Sequence, residues 1–331
     1  MPEPTVSIVA VVRGEPDRRL DAMVRSCAAQ RWTGPIELLV AASPEEVAGV
    51  EKHLTGWNHG EARVVPNPGG RRSVGLNRAI DEATGDVVVR VDARSTLPPE
   101  HVQLVVERLA SEPHIGVVGG VQWPTARVGA GTVAEGIALA LRNPWLMGGA
   151  AYRRPGASGE VDTVYLGAFR RDEVAALRFD ETLDANEDFE LCQRYRQRGQ
   201  VVWLEEALVV PYEPRESLVD LSAQYQAFGR AKVDMWRRTG SRANARQRLA
   251  LVGAAVALLG LAASIRAPRR LITASVAVGC AIAASDTRSD VRASPAARLV
   301  AVIAQCVLQV SWSYGCARQL AVGSQPRGRR L

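Results

Sequence analysis

The sequence contains few cysteines, and their positions argue against a disulfide framework or a zinc site. Five occur in 331 residues, which is an odd number, and no two of them form a C-x-x-C pair. Three fall in apolar stretches of the C-terminal part, where cysteine behaves as a small hydrophobic residue. The five are Cys27, Cys192, Cys280, Cys306 and Cys316.

Lysine is scarcer still, because it occurs only at Lys52 and Lys232 although Lys and Arg together number 41. The formal net charge of +6 therefore rests on arginines, and these are spread along the chain instead of forming one basic block. This distribution favours recognition of phosphate or carboxylate groups and contact with a membrane surface. It argues against a nucleic-acid-binding stripe, and we expect no nucleic acid partner.

The first residues lack the basic segment that opens a signal peptide. They read MPEPTVSIVAVVRGEPD and become polar by Arg13. This pattern predicts a first β-strand. We therefore expect the main domain to lie in the cytoplasm.

Up to about residue 125, short apolar runs alternate with segments of helical periodicity. Continuous apolar strands separated by helices indicate an α/β fold with a mostly parallel sheet covered by helices. Ligands of such sheets bind outside the carboxyl ends of the strands, where Asp92 and Arg94 fall. The predicted strands are 6–12, 36–41, 62–65, 86–91 and 115–121, and the predicted helices are 17–30, 45–54, 70–83 and 100–109. Further on, we predict helices at 133–141, 184–199 and 217–238, a strand running into a helix at 161–177 and a strand at 201–212.

Three stretches near the C-terminus, 249–265, 271–285 and 299–314, contain no charged residue. Each is shorter than the roughly 20 residues that cross a bilayer, but small residues dominate them and arginines flank them. We expect an α/β domain over residues 1–240 and membrane-associated helices over 241–331. A soluble helical subdomain is the alternative. The arginines at 266–270 leave the topology open, because they conflict with the positive-inside tendency if the first two stretches both span.

Carboxylates occur at two places in the sequence where a binding or catalytic site is expected. Asp92 ends a run of β-branched residues, and an aspartate at the tip of a buried strand commonly holds a metal or a sugar hydroxyl. Glu187 and Asp188 are adjacent at the start of a predicted helix, where the helix dipole favours negative charge. On the residues alone, simple charge complementation of the helix end is the alternative to a catalytic role.

Several stretches together resemble glycosyltransferase family 2 of the GT-A fold, in particular the succinoglycan-type exopolysaccharide glycosyltransferases. The resemblance covers most of residues 1–235 and implies a Rossmann-like GT-A domain. The matching stretches are NPGGRRSVGLNRAIDEATGDVVVRVDARSTLPPEHV (67–102), VGG (118–120), EVDTVYLGAFRRDEV (160–174), FDETLDANEDFELCQRYRQRG (179–199) and QYQAFGRAK (224–232).

The resemblance implies that Asp188, in the segment EDFEL, is the catalytic base. An inverting sugar transfer needs a carboxylate that takes the proton from the acceptor hydroxyl as it attacks the anomeric carbon. Glu187 would then either raise the pKa of Asp188 or hold the site together.

At Asp92 the resemblance implies Mg²⁺ or Mn²⁺ bridging the diphosphate of the donor. Family members usually carry Asp-x-Asp here, and succinoglycan-type relatives often carry Asp-Ala-His, whereas this sequence has Asp-Ala-Arg. Arginine offers only hydrogen-bond donors and cannot ligate a metal. Either Asp92 holds the metal with water and phosphate oxygens, or Arg94 contacts the diphosphate in place of part of the metal's charge. A third interpretation leaves Arg94 pointing to solvent. We expect a weakened but retained metal dependence.

Four further residues match donor-binding positions of the family. They are Arg13 and Glu15 in the first loop, Asn77 in the helix 70–83, and Arg230 in QYQAFGR, where Arg230 is a candidate diphosphate contact. Alternatively, Arg13 and Glu15 are simply exposed charges in a turn, and Arg230 belongs to an amphipathic helix that lies on the membrane.

A second departure concerns the acid that reads the nucleotide base in most family members. Ala41 and Ala42 stand at its position, and Glu45 or Glu46 are the nearest substitutes. The identity of the nucleotide is therefore open.

The sequence as a whole predicts an inverting glycosyltransferase in exopolysaccharide or cell-envelope glycan synthesis. It would take a nucleotide-diphosphate sugar and act on a polyprenyl-linked or polysaccharide acceptor at the inner membrane, with its catalytic domain in the cytoplasm. The alternative is a catalytically degenerate, membrane-associated scaffold in a polysaccharide assembly complex, which the two departures favour. A soluble nucleotidyltransferase fits less well, because the Gly-rich basic loop expected after the first strand is missing.

Overall fold

The computed structural model describes residues 3–143, 150–183, 185–240, 243, 247–248, 251–252 and 293–322. The predicted apolar stretch 271–285 lies outside the described residues, as does nearly all of 249–265. The chain forms two compact units, one of residues 1–123 and 150–213 and the other of residues 124–149 and 214–331. The expected domain boundary at residue 240 stays a prediction.

The first unit is organised by a single eight-stranded sheet. Its strands lie in the order β3-β2-β1-β4-β7-β5-β8-β6. Their bounds are β1 Val6–Val11, β2 Ile36–Ala42, β3 Ala62–Pro66, β4 Val87–Asp92, β5 Ile115–Pro124, β6 Gly159–Glu160, β7 Tyr165–Arg170 and β8 Val201–Tyr212.

The strands β3, β2, β1 and β4 are parallel, as the sequence predicts. The fifth predicted strand, β5, does not lie beside β4. The strand β7 lies between them and runs antiparallel to both. The α/β fold is therefore confirmed. The sheet is parallel from β3 to β4, whereas the pairs β4–β7, β7–β5 and β8–β6 on the other side are antiparallel.

Helices cover both faces of this sheet, because neighbouring strand residues point to opposite faces. The helices α1, α2 and α4 pack on one face, where they share a core with Ile8, Leu38 and Val89. The helices α3, α6 and α7 pack on the other, where they share a core with Val9 and Val88. Their bounds are α1 Arg18–Ala28, α2 Val47–Leu54, α3 Arg72–Glu82, α4 His101–Ser111, α6 Arg171–Leu177 and α7 Glu187–Gln197.

The strand order reverses between β1 and β4. From β1 the chain proceeds outward to β2 and β3, and it then returns to β4 on the other side of β1. Ligands of open α/β sheets bind at such a switch point, outside the carboxyl ends of the strands. Val11 of β1 is the register partner of Asp92 of β4, so Asp92 lies at this crevice.

The second unit contains three helices in its described part: α5 Thr132–Arg142, α8 Leu218–Thr239 and α9 Pro295–Val322. The helices α8 and α9 approach closely at two glycines. A Cβ at Gly229 would lie 2.2 Å from the carbonyl oxygen of Trp312, and one at Gly315 would lie 2.2 Å from that of Gln226. Small residues at such a crossing let two backbones touch.

Among the described helices, α9 alone is long and apolar enough to cross a membrane, and it contains the predicted stretch 299–314. Less than half of its most apolar window is buried. Its exposed residues include Leu299, Ile303, Val310 and Tyr314.

We expect Gly229→Ala and Gly315→Ala to destabilise the helix pair by about 1–3 kcal/mol, because the added methyl group meets a backbone oxygen that cannot move away. The thermal midpoint of the full chain measures this effect. Gly56→Ala is the control, since a Cβ at Gly56 meets nothing within 4 Å. An unchanged midpoint in both crossing variants would contradict the close approach.

His101, at the start of α4, is completely buried, and neither ring nitrogen has a hydrogen-bond partner among the residues that the structure describes. Burial lowers the pKa of His101 to about 4. The folded protein therefore keeps this ring neutral at pH values where a histidine of the unfolded chain, with a pKa of about 6.5, takes up a proton.

Acid should therefore destabilise the fold through His101, with the loss beginning below about pH 6.5 and ending near pH 4. We expect the free energy of unfolding to fall by about 2 kcal/mol more in the wild type than in His101→Leu between pH 7 and pH 5. Denaturant titrations at the two pH values test this. The variant His114→Gln is the control, because His114 is exposed. Its free energy of unfolding should fall as far as that of the wild type.

Candidate active site

Arg90 and Asp92 lie two positions apart on β4, so both side chains project from the same face of the sheet. This is the face of Val88, which α3 and α7 cover. Arg90 is 5% exposed, whereas a quarter of the Asp92 side chain reaches solvent. Nη2 of Arg90 donates a hydrogen bond to Oδ1 of Asp92 at 3.2 Å.

Glu187, the first residue of α7, joins the same ionic cluster. It is 2% exposed, and its Oε1 accepts a second hydrogen bond from Nη2 of Arg90 at 3.2 Å. Nη1 of Arg72, at the start of α3, lies 3.6 Å from the same oxygen. Glu187 therefore binds two guanidiniums at once, which makes it the anchor of the acidic helix.

Asp188 follows Glu187 and is half-buried. Its Oδ1 accepts a hydrogen bond of 2.7 Å from the N–H of Phe189. Asn186, directly before the helix, has a φ of 65°, a left-handed conformation that asparagine adopts more readily than most residues.

The two aspartates have opposite electrostatic environments. Burial and, after it, the charge of Glu187 raise the pKa of Asp188 above its ordinary value, against the opposing charge of Arg90. Burial also acts to raise the pKa of Asp92, but Arg90 and Arg72 lower it below its ordinary value. Asp92 is thus kept as an anion, and Asp188 is the better proton acceptor of the two.

Asp92 can serve as a ligand of one divalent cation. Arg90 binds one carboxylate oxygen, Oδ1, and the side chain is partly exposed. Magnesium-type ions in phosphate chemistry commonly use one or two carboxylates together with substrate phosphates and water. Within the described residues, no three His, Cys, Asp or Glu side chains form a metal cage.

Arg94 is half-buried and bound to the end of β8. Its Nη1 donates to the carbonyl oxygen of Glu213 at 3.2 Å, and the N–H of Glu213 donates to the carbonyl oxygen of Arg94 at 2.9 Å. The carboxylate of Glu213 in turn pairs with Arg18 and Arg19 at the start of α1. The loop after Asp92 is therefore fixed to β8 and α1.

Arg13 and Glu15 lie exposed in the loop after β1, at the same sheet edge as Asp92. Glu46, which precedes α2, organises this loop. One of its carboxylate oxygens accepts the N–H of Gly14, and the other accepts the N–H of Ser43 at 3.0 Å. Both oxygens of Glu46 therefore bind backbone, whereas the neighbouring Ala41 and Ala42 are completely buried.

Asn77 on α3 is buried, and its amide binds the segment that leads to α7. Its oxygen accepts the N–H of Phe179 at 2.8 Å, and its nitrogen donates to the carbonyl oxygen of Phe179 and to Glu181, both at 2.9 Å. These bonds hold the segment that precedes α7 against α3. Contact of Asn77 with a donor stays a prediction, and so does that of Arg230, which is half-buried on α8 in the second unit.

The model of the family described as Glycosyl transferase family 2 matches residues 7–172, half of the chain. The chain belongs to this family. It is 29% identical over 260 residues to the succinoglycan biosynthesis protein ExoA of Rhizobium meliloti (strain 1021), covering 77% of each chain. The mannosyltransferase PcManGT from Pyrobaculum calidifontis, solved in complex with GDP-Man and Mn²⁺, has a similar fold. The TM-score is 0.63 at 17% identity, over 97% of this chain and 88% of that one.

The sequence did not lead us to Arg90 as a site residue of this glycosyltransferase. A signal for Arg90 was present, because VVVRVD places one charged residue inside a buried apolar strand, two positions before Asp92. A buried charge needs a counter-charge, and the shared face supplies Asp92. The pairing with Glu187, 97 residues away, carries no comparable local signal.

We expect Glu46→Gln to loosen the loop that carries Arg13 and Glu15, since a neutral amide loses the charge-assisted bonds to the N–H groups of Gly14 and Ser43. Amide hydrogen exchange at these two positions should rise by about tenfold. Glu51→Gln is the control, because Glu51 lies exposed on α2. Equal exchange in all three proteins would mean that Glu46 does not order the loop.

Proposed function

We propose that this glycosyltransferase moves a sugar from a nucleoside-diphosphate donor to an acceptor hydroxyl by a single inverting displacement. One observation carries the proposal: Arg90 joins the strand-end carboxylate Asp92 to the acidic helix start, Glu187 and Asp188, within one ionic cluster. The cluster lies at the switch point of the sheet, where a nucleotide ligand is expected.

The donor side of the site is Asp92 with the loops after β1 and β4. A divalent cation bound by Asp92 would neutralise charge on the departing diphosphate. Arg13 lies exposed in the loop at the same edge and supplies a guanidinium for phosphate oxygens, with Glu15 as its neighbour for the ribose or base. Arg94 contributes fixed positive charge close to Asp92 in the chain.

The acceptor side is Asp188. Its raised pKa and partial exposure suit a general base that takes the proton of the acceptor hydroxyl as the new glycosidic bond forms. Glu187 does not share this role, because Arg90 and Arg72 engage its carboxylate. It holds the helix start and raises the pKa of its neighbour.

The acceptor that we propose is a polyprenyl-linked sugar or a growing exopolysaccharide at the inner membrane. Support comes from the similarity to a succinoglycan biosynthesis protein and from the exposed apolar residues along α9. A surface of this kind suits a protein that lies against lipid while its catalytic unit stays in the cytoplasm.

The competing proposal is a catalytically degenerate scaffold in a polysaccharide assembly complex. Ala41, Ala42 and Arg94 favour it, because each replaces a residue that family members use at the donor. The ionic cluster favours the enzyme, since a protein without catalysis needs no half-buried aspartate with a raised pKa beside two paired carboxylates.

A donor screen tests the proposal. The purified full-length chain is incubated with a panel of UDP- and GDP-sugars in the presence of Mn²⁺, and nucleotide release is measured. We expect nucleotide release from at least one donor, and slower release when EDTA is added. In Asp188→Asn the rate of release should fall by about 100-fold or more, because asparagine keeps the shape of the side chain but cannot take a proton.

Asp172→Asn is the matched control, because Asp172 is also an aspartate in the first turn of a helix and is exposed on α6. It should release nucleotide at the wild-type rate. Release from no donor would favour the scaffold, and wild-type release by Asp188→Asn would refute the assignment of the base.

A further inference from the structure

Arg90 is a charged side chain inside the most buried part of the sheet. Its neighbours on β4, Val88, Val89 and Val91, are at most 1% exposed. A guanidinium at such a place cannot be solvated by water, so its position depends on the protein groups that neutralise it.

These groups come from two separate elements of the first unit. A single nitrogen, Nη2, donates both to Asp92 on β4 and to Glu187 on α7, and the two bonds are equal in length at 3.2 Å. The guanidinium carbon also lies 6.0 Å from the ring centroid of Phe179, in the segment before α7. The position of Arg90 therefore depends on both halves of the site.

The partner on the helix side is itself constrained. Glu187 is 2% exposed and contacts Arg72, so it cannot turn away from Arg90 towards water. Asp188 follows it directly on the same helical turn. Any shift of Arg90 relative to Glu187 would therefore move the start of α7, and Asp188 with it.

We propose that Arg90 is a positioning residue that sets the distance between the donor carboxylate Asp92 and the base Asp188. It acts through Asp92 and Glu187 and touches neither substrate. The inference rests on the proposed function, because it assigns Arg90 a role within that donor and acceptor site.

The role depends on where the rigid, planar guanidinium places Nη2, which makes both bonds, as well as on the charge of arginine. Lysine carries its charge on one ammonium group at the end of a flexible stem, and its geometry differs from that of a guanidinium that bridges two carboxylates. Compared with Arg90→Met, Arg90→Lys should therefore regain more of the wild-type stability than of the wild-type nucleotide binding and turnover. A merely structural cation would be replaced equally well in all three respects.

The experiment compares Arg90→Met, Arg90→Lys and the control Arg108→Met in the full-length chain. Arg108 is a suitable control because it also bridges two carboxylates, Glu112 at 2.7 Å and Glu205 at 2.9 Å, and is half-buried on α4. Calorimetry measures the Kd of UDP and of GDP in the presence of Mn²⁺, and nucleotide release gives kcat. Thermal unfolding gives Tm.

We expect Arg90→Met to raise the Kd of the bound nucleotide and to lower kcat, each by about tenfold or more, as happens when a supporting partner of a ligand residue is lost. Arg90→Lys should show the same two changes with a Tm closer to that of the wild type. Arg108→Met should change neither Kd nor kcat.

A double variant keeps the test valid if Arg90→Met folds poorly. Arg90→Met with Glu187→Gln removes the buried cation together with one buried anion, so its Tm should exceed that of Arg90→Met. Its Kd should still be raised by about tenfold or more, because Asp92 has lost its bridge to α7.

Two outcomes separate the failure of this inference from that of the proposed function. Wild-type Kd and kcat in folded Arg90→Met, or wild-type Kd in the double variant, would overturn the role of Arg90 and leave the proposed function standing. A wild type that binds neither UDP nor GDP with Mn²⁺ and releases no nucleotide would overturn the proposed function and this inference with it.

Discussion

The arrangement of the site depends on a guanidinium that the central strand buries. Arg90 cannot be solvated where it lies, so the fold supplies carboxylates from β4 and α7. Removing one partner of such a buried pair typically costs about 3–5 kcal/mol, because the remaining charge is left without compensation. The start of α7 is consequently held against β4, and this contact brings two sequence-distant acidic segments into one site.

Within this cluster, three carboxylates have different surroundings. Glu187 is buried between two arginines and acts as an anchor. The same arginines hold Asp92 in its anionic form at the sheet edge. Burial and the charge of Glu187 raise the pKa of Asp188, and a raised pKa suits a group that accepts a proton. In the proposed mechanism, local charge and access to water thus give similar chemical groups the separate roles of metal ligand, anchor and base.

The sheet edge at which we propose that the donor binds differs from the pattern that the family resemblance implies. Ala41 and Ala42 are packed in the sheet, and Glu46 uses both carboxylate oxygens to hold the loops after β1 and β2. Arg94 is bound to the backbone at the end of β8. Contacts within the protein therefore order the loops at this edge. The acid that reads the nucleotide base in most family members has no part in ordering them.

The sequence by itself determined the order of elements and the identity of the acidic motifs. Local periodicity is enough to locate β1, α1 or β4, since burial of one face repeats every two or 3.6 residues. The motif EDFEL likewise made Asp188 a candidate site residue, and the end of β4 made Asp92 another. Only the tertiary structure decided that β7 lies antiparallel between β4 and β5, because strand pairing is a non-local choice that no single segment encodes. It also decided that Arg90 bridges Asp92 to Glu187. That pairing arises when α7 packs on the face of β4, and electrostatic neutralisation across 97 residues leaves no periodic trace in the chain.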